Sequence, residues 1–469
     1  MRTAAQPIRN RHLMGAVTAA LLLAAGAASA DDVSDLRERL EAQEQKIRVL
    51  ERKLELQDEA AKAAVPTTPV VRASPQQGFR IQSADSANVV RLRGVLQVDG
   101  RRFNDDVTPE TADTWILRRV RPILEGTLNG IYDFRFTPDF AQGRTVIQDA
   151  YITGRFSPYF QLTAGKFKAP IGLERLQSAT DMRFIERAYP TQLVTNRDIG
   201  AQIAGGLGGD KLTYQLAYLN GANDGRSSED FADVEVNDDK EYAARIFAQP
   251  FADSESFALR GLGLGIAGSW TSQEGSTTQT LLPQYRTPAQ STFYKYRADA
   301  VATGDRVRIA PQFYYYAGRF GLLGEWTEGS QDVARPSALG GVRTDSVDTT
   351  AWQLQASLFL TGEEEAFRGY KPQSAFVPAN GTWGGWELVA HYTELDVDDA
   401  AFDGGADSFA DPLVSASNAS TIGVGLNWYL NQNVKWSLNY EVTSFEGGGA
   451  DGGDREDEEV ILTRLGLGF

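Results

Sequence analysis

Lys435-Trp436-Ser437-Leu438-Asn439-Tyr440-Glu441-Val442-Thr443 alternates without a break. Trp436, Leu438, Tyr440 and Val442 take one parity; Lys435, Ser437, Asn439, Glu441 and Thr443 take the other. A period of two marks an extended strand whose faces meet different surroundings. Tyr132–Thr137 repeats the pattern, and so do Trp352, Leu354, Ala356, Leu358 and Leu360. A soluble sandwich alternates as well, so the number, length and spacing of such segments must decide.

Working outward, strands are expected near 89–103, 114–128, 130–140, 145–157, 159–168, 199–206, 211–220, 239–250, 257–271, 304–316, 318–329, 346–361, 384–396, 418–430, 433–445 and 458–469. Their number is even, and many have the ten or so residues that a tilted membrane crossing needs. Tight turns at Asn129-Gly130, Ser157-Pro158, Gly208–Asp210, Ala317-Gly318 and Asn431-Gln432 interleave with long polar loops. Short turns on one rim and long loops on the other suit a membrane barrel. The Gly362–Trp383 connection is long where this scheme wants a short one. The last segment puts Ile461, Thr463, Leu465, Leu467 and Phe469 on one face, which resembles the terminal signal of bacterial outer-membrane barrels. The expected fold is therefore all-β: a sixteen-stranded antiparallel transmembrane barrel over 79–469, preceded by a short α-helical coiled coil.

Composition narrows the chemistry. Among 469 residues there is no cysteine and only His12 and His391, which excludes disulfides, thiol nucleophiles and multi-histidine metal centres. A net charge of −16 argues against a nucleic-acid partner. No catalytic constellation, cofactor site or metal site stands out, and no enzyme is expected.

The amino terminus carries Arg2, Arg9 and Arg11, an apolar stretch from Leu13 to Ala25, and Ala28-Ser29-Ala30. That is a secretory signal over 1–30, too short to span a bilayer as a helix. Over 31–59, Val33, Leu40, Ile47 and Leu54 recur every seven residues, with Leu36, Gln43, Leu50 and Gln57 between them. This heptad pattern reads as a periplasmic coiled coil; a solvated amphipathic helix on its own domain is the alternative. Residues 60–78, rich in Ala, Pro and Thr, read as a linker.

With apolar parities assigned to lipid, Arg91, Arg93, Asp99, Arg101, Arg119, Arg121, Glu125, Arg135, Arg155, Arg245, Arg306, Arg308 and Arg464 face the interior. Rings of arginine can select anions, and their fixed charge suits oxyanions. Interior acids such as Asp133, Asp139, Asp149, Glu325, Glu387 and Glu441 leave structural pairing open as the competing role. The acidic surplus in Glu229–Glu241, Glu394–Asp411 and Asp451–Glu459 is expected on solvated rims, with lipopolysaccharide as a neighbour. The long segment 169–198 carries Arg175, Arg183, Arg187 and Arg197 and is expected to form a lid or fold inward as a constriction.

Gly165-Lys166-Phe167-Lys168-Ala169-Pro170-Ile171-Gly172-Leu173-Glu174, with Phe184–Arg187 and Asn196–Gly200, resembles the phosphate-selective porin O/P family. Arg118–Pro122 with Glu125-Gly126 is similar to an earlier signature of that family. The resemblance implies a trimer of sixteen-stranded barrels, an inward third loop and a passive anion path, phosphate or polyphosphate first. It places anion contacts on Arg118, Arg119, Arg121, Lys166 and Lys168; strand alternation agrees for Arg119 and Arg121 but turns Arg118 outward. Two other readings are a general porin and a structural envelope protein whose coiled coil reaches the cell wall.

Overall fold

The computed structural model describes residues 30–63, 69–74, 78–104, 112–222, 238–370 and 372–469. The expected signal segment therefore lies outside the described residues, apart from Ala30. Two units divide at Thr68. In the first, a single helix, α1, covers Ala30–Ala63. Leu40, Ile47, Leu50 and Leu54 stand about half exposed along it.

In the second, sixteen strands follow in order: β1 (Val89–Phe103), β2 (Thr114–Leu128), β3 (Tyr132–Asp139), β4 (Val146–Ser157), β5 (Phe160–Phe167), β6 (Asp198–Leu207), β7 (Leu212–Leu219) and β8 (Glu241–Ala248). Then come β9 (Leu262–Ser272), β10 (Val301–Ala317), β11 (Phe320–Pro336), β12 (Val342–Phe359), β13 (Gly385–Val397), β14 (Ala416–Tyr429), β15 (Val434–Gly447) and β16 (Glu458–Gly468). Each pairs antiparallel with the next. β16 closes on β1, from Val460 opposite Phe103 to Gly468 opposite Val95. Closure leaves no open barrel edge in the bilayer, where an unpaired backbone group is costly. All sixteen expected strands are present, with ends shifted by a few residues. A hairpin, Val70–Ser74 with Gly78–Gln82, extends the sheet beside the start of β1 and occupies part of the expected linker.

Outward parities carry the exposed apolar residues, among them Leu92, Leu124, Ile152, Ile246, Ile309, Leu354, Ile422 and Ile461. Aromatic rows flank this band. Tyr218, Tyr242 and Trp270 are register partners with ring centroids 5.3 and 6.0 Å apart. Trp386 stacks on its partner Trp428 at 5.0 Å. Such girdles mark the two membrane interfaces of a barrel. The Asn129-Gly130 turn needs left-handed backbone at both positions, φ 51° and 74°, as a tight hairpin of this twist requires.

Much of the interior is filled. The hairpin Gln284–Arg286 with Thr292–Lys295 leaves the β9–β10 connection. Its Tyr285, Phe293 and Tyr294 pack with Tyr189, Leu193, Phe409 and Phe445 into an apolar mass inside the β11–β15 wall. The 360–384 connection also turns inward: Phe367 packs against Leu173, Phe247, Tyr314 and Leu323. This accounts for its length.

Two acids expected on solvated rims are wall residues instead. Glu241 and Glu458 are buried at the first residues of β8 and β16, on the lumen-facing parity shared with Arg245 and Arg464.

Candidate permeation site

The 168–197 segment folds inward and crosses the lumen. Its short helical turn Leu173–Leu176 begins where Glu325 of β11 accepts from the backbone N–H groups of Leu173 (2.6 Å) and Glu174 (3.2 Å). Further along, Ile185 N donates to Asn439 Oδ1 of β15 at 2.8 Å, and Tyr189 N to Thr393 Oγ1 of β13 at 3.1 Å. Phe184 lies flat on His391 of β13, centroids 3.7 Å apart. The loop is thus pinned to the far wall by side chains on the polar parity of the strands.

Pinning the loop leaves a cavity of about 1200 Å³ along β1–β7. Its lining runs from Arg286 and Gln290 to the Asn431–Lys435 turn and Phe469. Among the described residues, fourteen lysines and arginines line it against four aspartates and glutamates, in a chain whose net charge is −16. The acidic surplus has been kept out of the cavity.

Nine of the expected residues line this cavity: Arg93, Arg118, Arg119, Arg121, Arg135, Lys168, Arg175, Arg187 and Arg197. Arg118 corrects the alternation argument. The β1–β2 register shifts at Gln97/Val98, with Gln97 opposite Arg119 and Val98 opposite Leu117. Arg118 is the extra residue of a β-bulge, which turns it to the same side as Arg119.

Several of these arginines are neutralised. Arg118 holds Glu186, Arg121 holds Asp139 at 2.7 Å, and Arg197 holds Asp149 at 2.8 Å. Arg93 and Arg135 share Glu125 at 3.3 and 3.4 Å. Burial alone would raise the Glu186 pKa, but the charges of Arg118 and Arg464 hold it well below the usual carboxylate range.

Arg119 differs. Its Nη1 donates to Gln97 Oε1 at 2.6 Å, and its Nε has no hydrogen-bond partner among the described residues. Arg118, Arg464 and Arg121 are its positive electrostatic neighbours, with the Glu186 carboxylate a weaker negative one. On the loop, Arg187 donates to the carbonyls of Glu174 (3.2 Å) and Gln177 (3.0 Å), and Arg175 to that of Thr191. Lys168 Nζ donates to the carbonyls of Arg175 (2.9 Å), Leu176 (3.3 Å) and Gln177 (2.6 Å), so the ammonium also staples the turn. Burial and the charges of Arg187 and Arg197 pull the Lys168 pKa well below the lysine range. Burial lowers Arg175 to about 9 and Arg187 to about 10, so both stay charged at neutral pH.

Four expected residues lie elsewhere. Arg306 and Arg308 close a buried triad on Glu241 at 3.1 and 2.7 Å, away from the cavity lining. Arg183 is buried on Glu365 and Glu387. Lys166 is buried and outside the lining. Residues the sequence left out of the site line it too: Arg144, Arg286, Arg368, Lys435 and Arg464. Parity marked Arg464 and Lys435 as interior; Arg286 and Arg368 sit on connections, where parity carries no signal.

A closed sixteen-strand barrel with an apolar girdled exterior and a polar cavity narrowed by an inward loop is the architecture of an outer-membrane porin, a channel. Residues 90–469 match the family described as Phosphate-selective porin O and P, and the chain belongs to it. Porin O of Pseudomonas aeruginosa is 24% identical over 415 residues, covering 83% of this chain and 90% of that protein. Among solved structures, the outer membrane channel DcaP of Acinetobacter baumannii overlays with a TM-score of 0.50 at 10% identity, covering 83% of this chain and 99% of the other. The anion-selective porin from Comamonas acidovorans gives 0.49 at 12%, covering 81% and 100%.

Proposed function

We propose that this porin passes small anions, with phosphate or a short polyphosphate the preferred solute. One observation carries the reading: Arg119 is buried among three other arginines with a glutamine, and no carboxylate, as its hydrogen-bond partner. A buried charge with more like than unlike neighbours is destabilising, and an oxyanion entering the cavity would relieve it. Arg187 and Arg175, bonded mainly to carbonyl oxygens, extend the positive lining without neutralising it. Contacts of this kind hold an anion strongly enough to admit it and weakly enough to release it.

The assembly we infer is a homotrimer, its barrels meeting through their apolar outer faces. Leu40, Ile47, Leu50 and Leu54 of α1, half exposed on a lone chain, favour a coiled coil between copies in the periplasm, where contact with the cell wall follows. Phosphate titrated into a chloride-conducting single channel tests the solute. Block of the chloride current at submillimolar phosphate supports the reading; chloride current indifferent to phosphate leaves a general porin.

A further inference from the structure

Arg183 was expected at the constriction, yet both carboxylates it grips point elsewhere. Its Nη2 meets Glu365 Oε2 at 2.5 Å and the Ala366 carbonyl at 2.7 Å, both on the 360–384 connection. Its Nε meets Glu387 Oε1 of β13 at 3.0 Å. Arg183 and Glu387 are wholly buried and Glu365 nearly so. Glu387 is held in turn by Asn427 (2.8 Å) and Tyr429 (2.7 Å) of β14, with Lys435 as a further positive neighbour. A second tie lies close by: Gln177 Nε2 donates to the Phe367 carbonyl at 3.0 Å.

The connection has its own anchors. Glu365 N donates to the Gly318 carbonyl in the β10–β11 turn at 2.6 Å, and Phe376 N to the Leu430 carbonyl in the β14–β15 turn at 2.6 Å. It brings Arg368, Gly369 and Tyr370 to the cavity, which Arg175 and Arg187 of the inward loop also line. Two segments outside the wall, one entering from each rim, thus meet at one guanidinium.

We propose that Arg183 is a positioning residue: by gripping Glu365 it fastens the inward loop to the 360–384 connection, so the periplasmic segment sets the width of the constriction. A tie that served only the barrel would join wall to wall, whereas this one joins two segments that both line the pore. The inference rests on the channel reading and is independent of which ion is preferred.

The test is single-channel recording of Glu365→Ala in a planar bilayer. Arg183 keeps Glu387, so the loop stays on the wall while its hold on the connection is weakened to the Ala366 carbonyl. Expected are a larger unitary conductance and more open-channel noise. Wild-type conductance and noise in Glu365→Ala would overturn the proposal. Should that variant fail to insert, Gln177→Ala cuts the neighbouring tie without touching a charge. It is expected to add noise, and wild-type traces would again overturn the proposal.

Discussion

Arg118 grips Glu186 with two prongs, Nε to Oε1 at 2.6 Å and Nη2 to Oε2 at 3.0 Å. This contact fastens β2 to the inward loop and uses up the charge of one arginine in an adjacent pair. Arg119, its neighbour in sequence and on the lumen side, keeps its charge for the cavity. Two adjacent residues of one type therefore have separate roles, assigned by a single carboxylate.

The two roles predict opposite outcomes. Arg118→Gln removes the two-pronged partner of the buried Glu186, leaving it Arg464 at 3.3 Å and Arg101 at 3.6 Å, and should cost about 3 kcal/mol, the low end of the penalty for breaking a buried pair. It should lower the denaturant midpoint of the refolded barrel. Arg119→Gln removes a charge crowded by like charges and should leave that midpoint unchanged or raised. Equal losses in the two variants would contradict the distinction.

Glu241 sits between Arg306 and Arg308, outside the cavity lining. Glu241→Gln should therefore destabilise the barrel by several kcal/mol while leaving ion preference at the wild-type value. A shifted preference at unchanged stability would return these arginines to the permeation path.

The latch carries a pH signature. Burial, reinforced by Glu387, pushes the Glu365 pKa up to about 7 despite Arg183. Facing it are Arg183 of the loop, Glu387 of β13, Tyr316 of β10 and Tyr429 of β14. With a raised folded-state pKa, the folded protein holds the extra proton. The stabilisation is complete below about pH 4.5 and is lost as pH rises through about 7. Open-channel noise should then increase between pH 6 and 8, and Glu365→Gln should abolish the change. Noise that ignores pH in the wild type would speak against it.

Sequence periodicity revealed the wall of this protein almost completely, because one side of every strand meets lipid and period two leaves no ambiguity of face. It failed where local geometry departs from period two. The bulge at Arg118 inverts parity within one residue, and nothing in Arg118-Arg119-Val120-Arg121 announces it. The interior was less legible because a lumen-facing arginine looks the same whether it conducts or pairs. Glu241 lies some sixty residues from Arg306 and Arg308, and only the register of β8, β9 and β10 brings them together. The 360–384 connection was conspicuous by length alone; its partner, Arg183, was visible but credited to the pore.

The helix offers a separate test. Leu40→Asp with Leu50→Asp places charges at exposed a and d positions. If α1 forms a coiled coil between copies, the α1 peptide should associate in sedimentation and the doubly substituted peptide should not. Native mass measurement of the full chain should still return three barrels. A monomeric wild-type peptide would remove the coiled coil from the account.

The central claim is that unneutralised arginines make the cavity an anion path. The reversal potential across a tenfold KCl gradient tests it most directly, in the wild type and in Arg119→Gln/Arg187→Gln. Chloride should dominate in the wild type, with a reversal potential near the chloride limit, and the double variant should move toward zero or past it. A cation-selective wild type, or a double variant with an unchanged reversal potential, would contradict the claim.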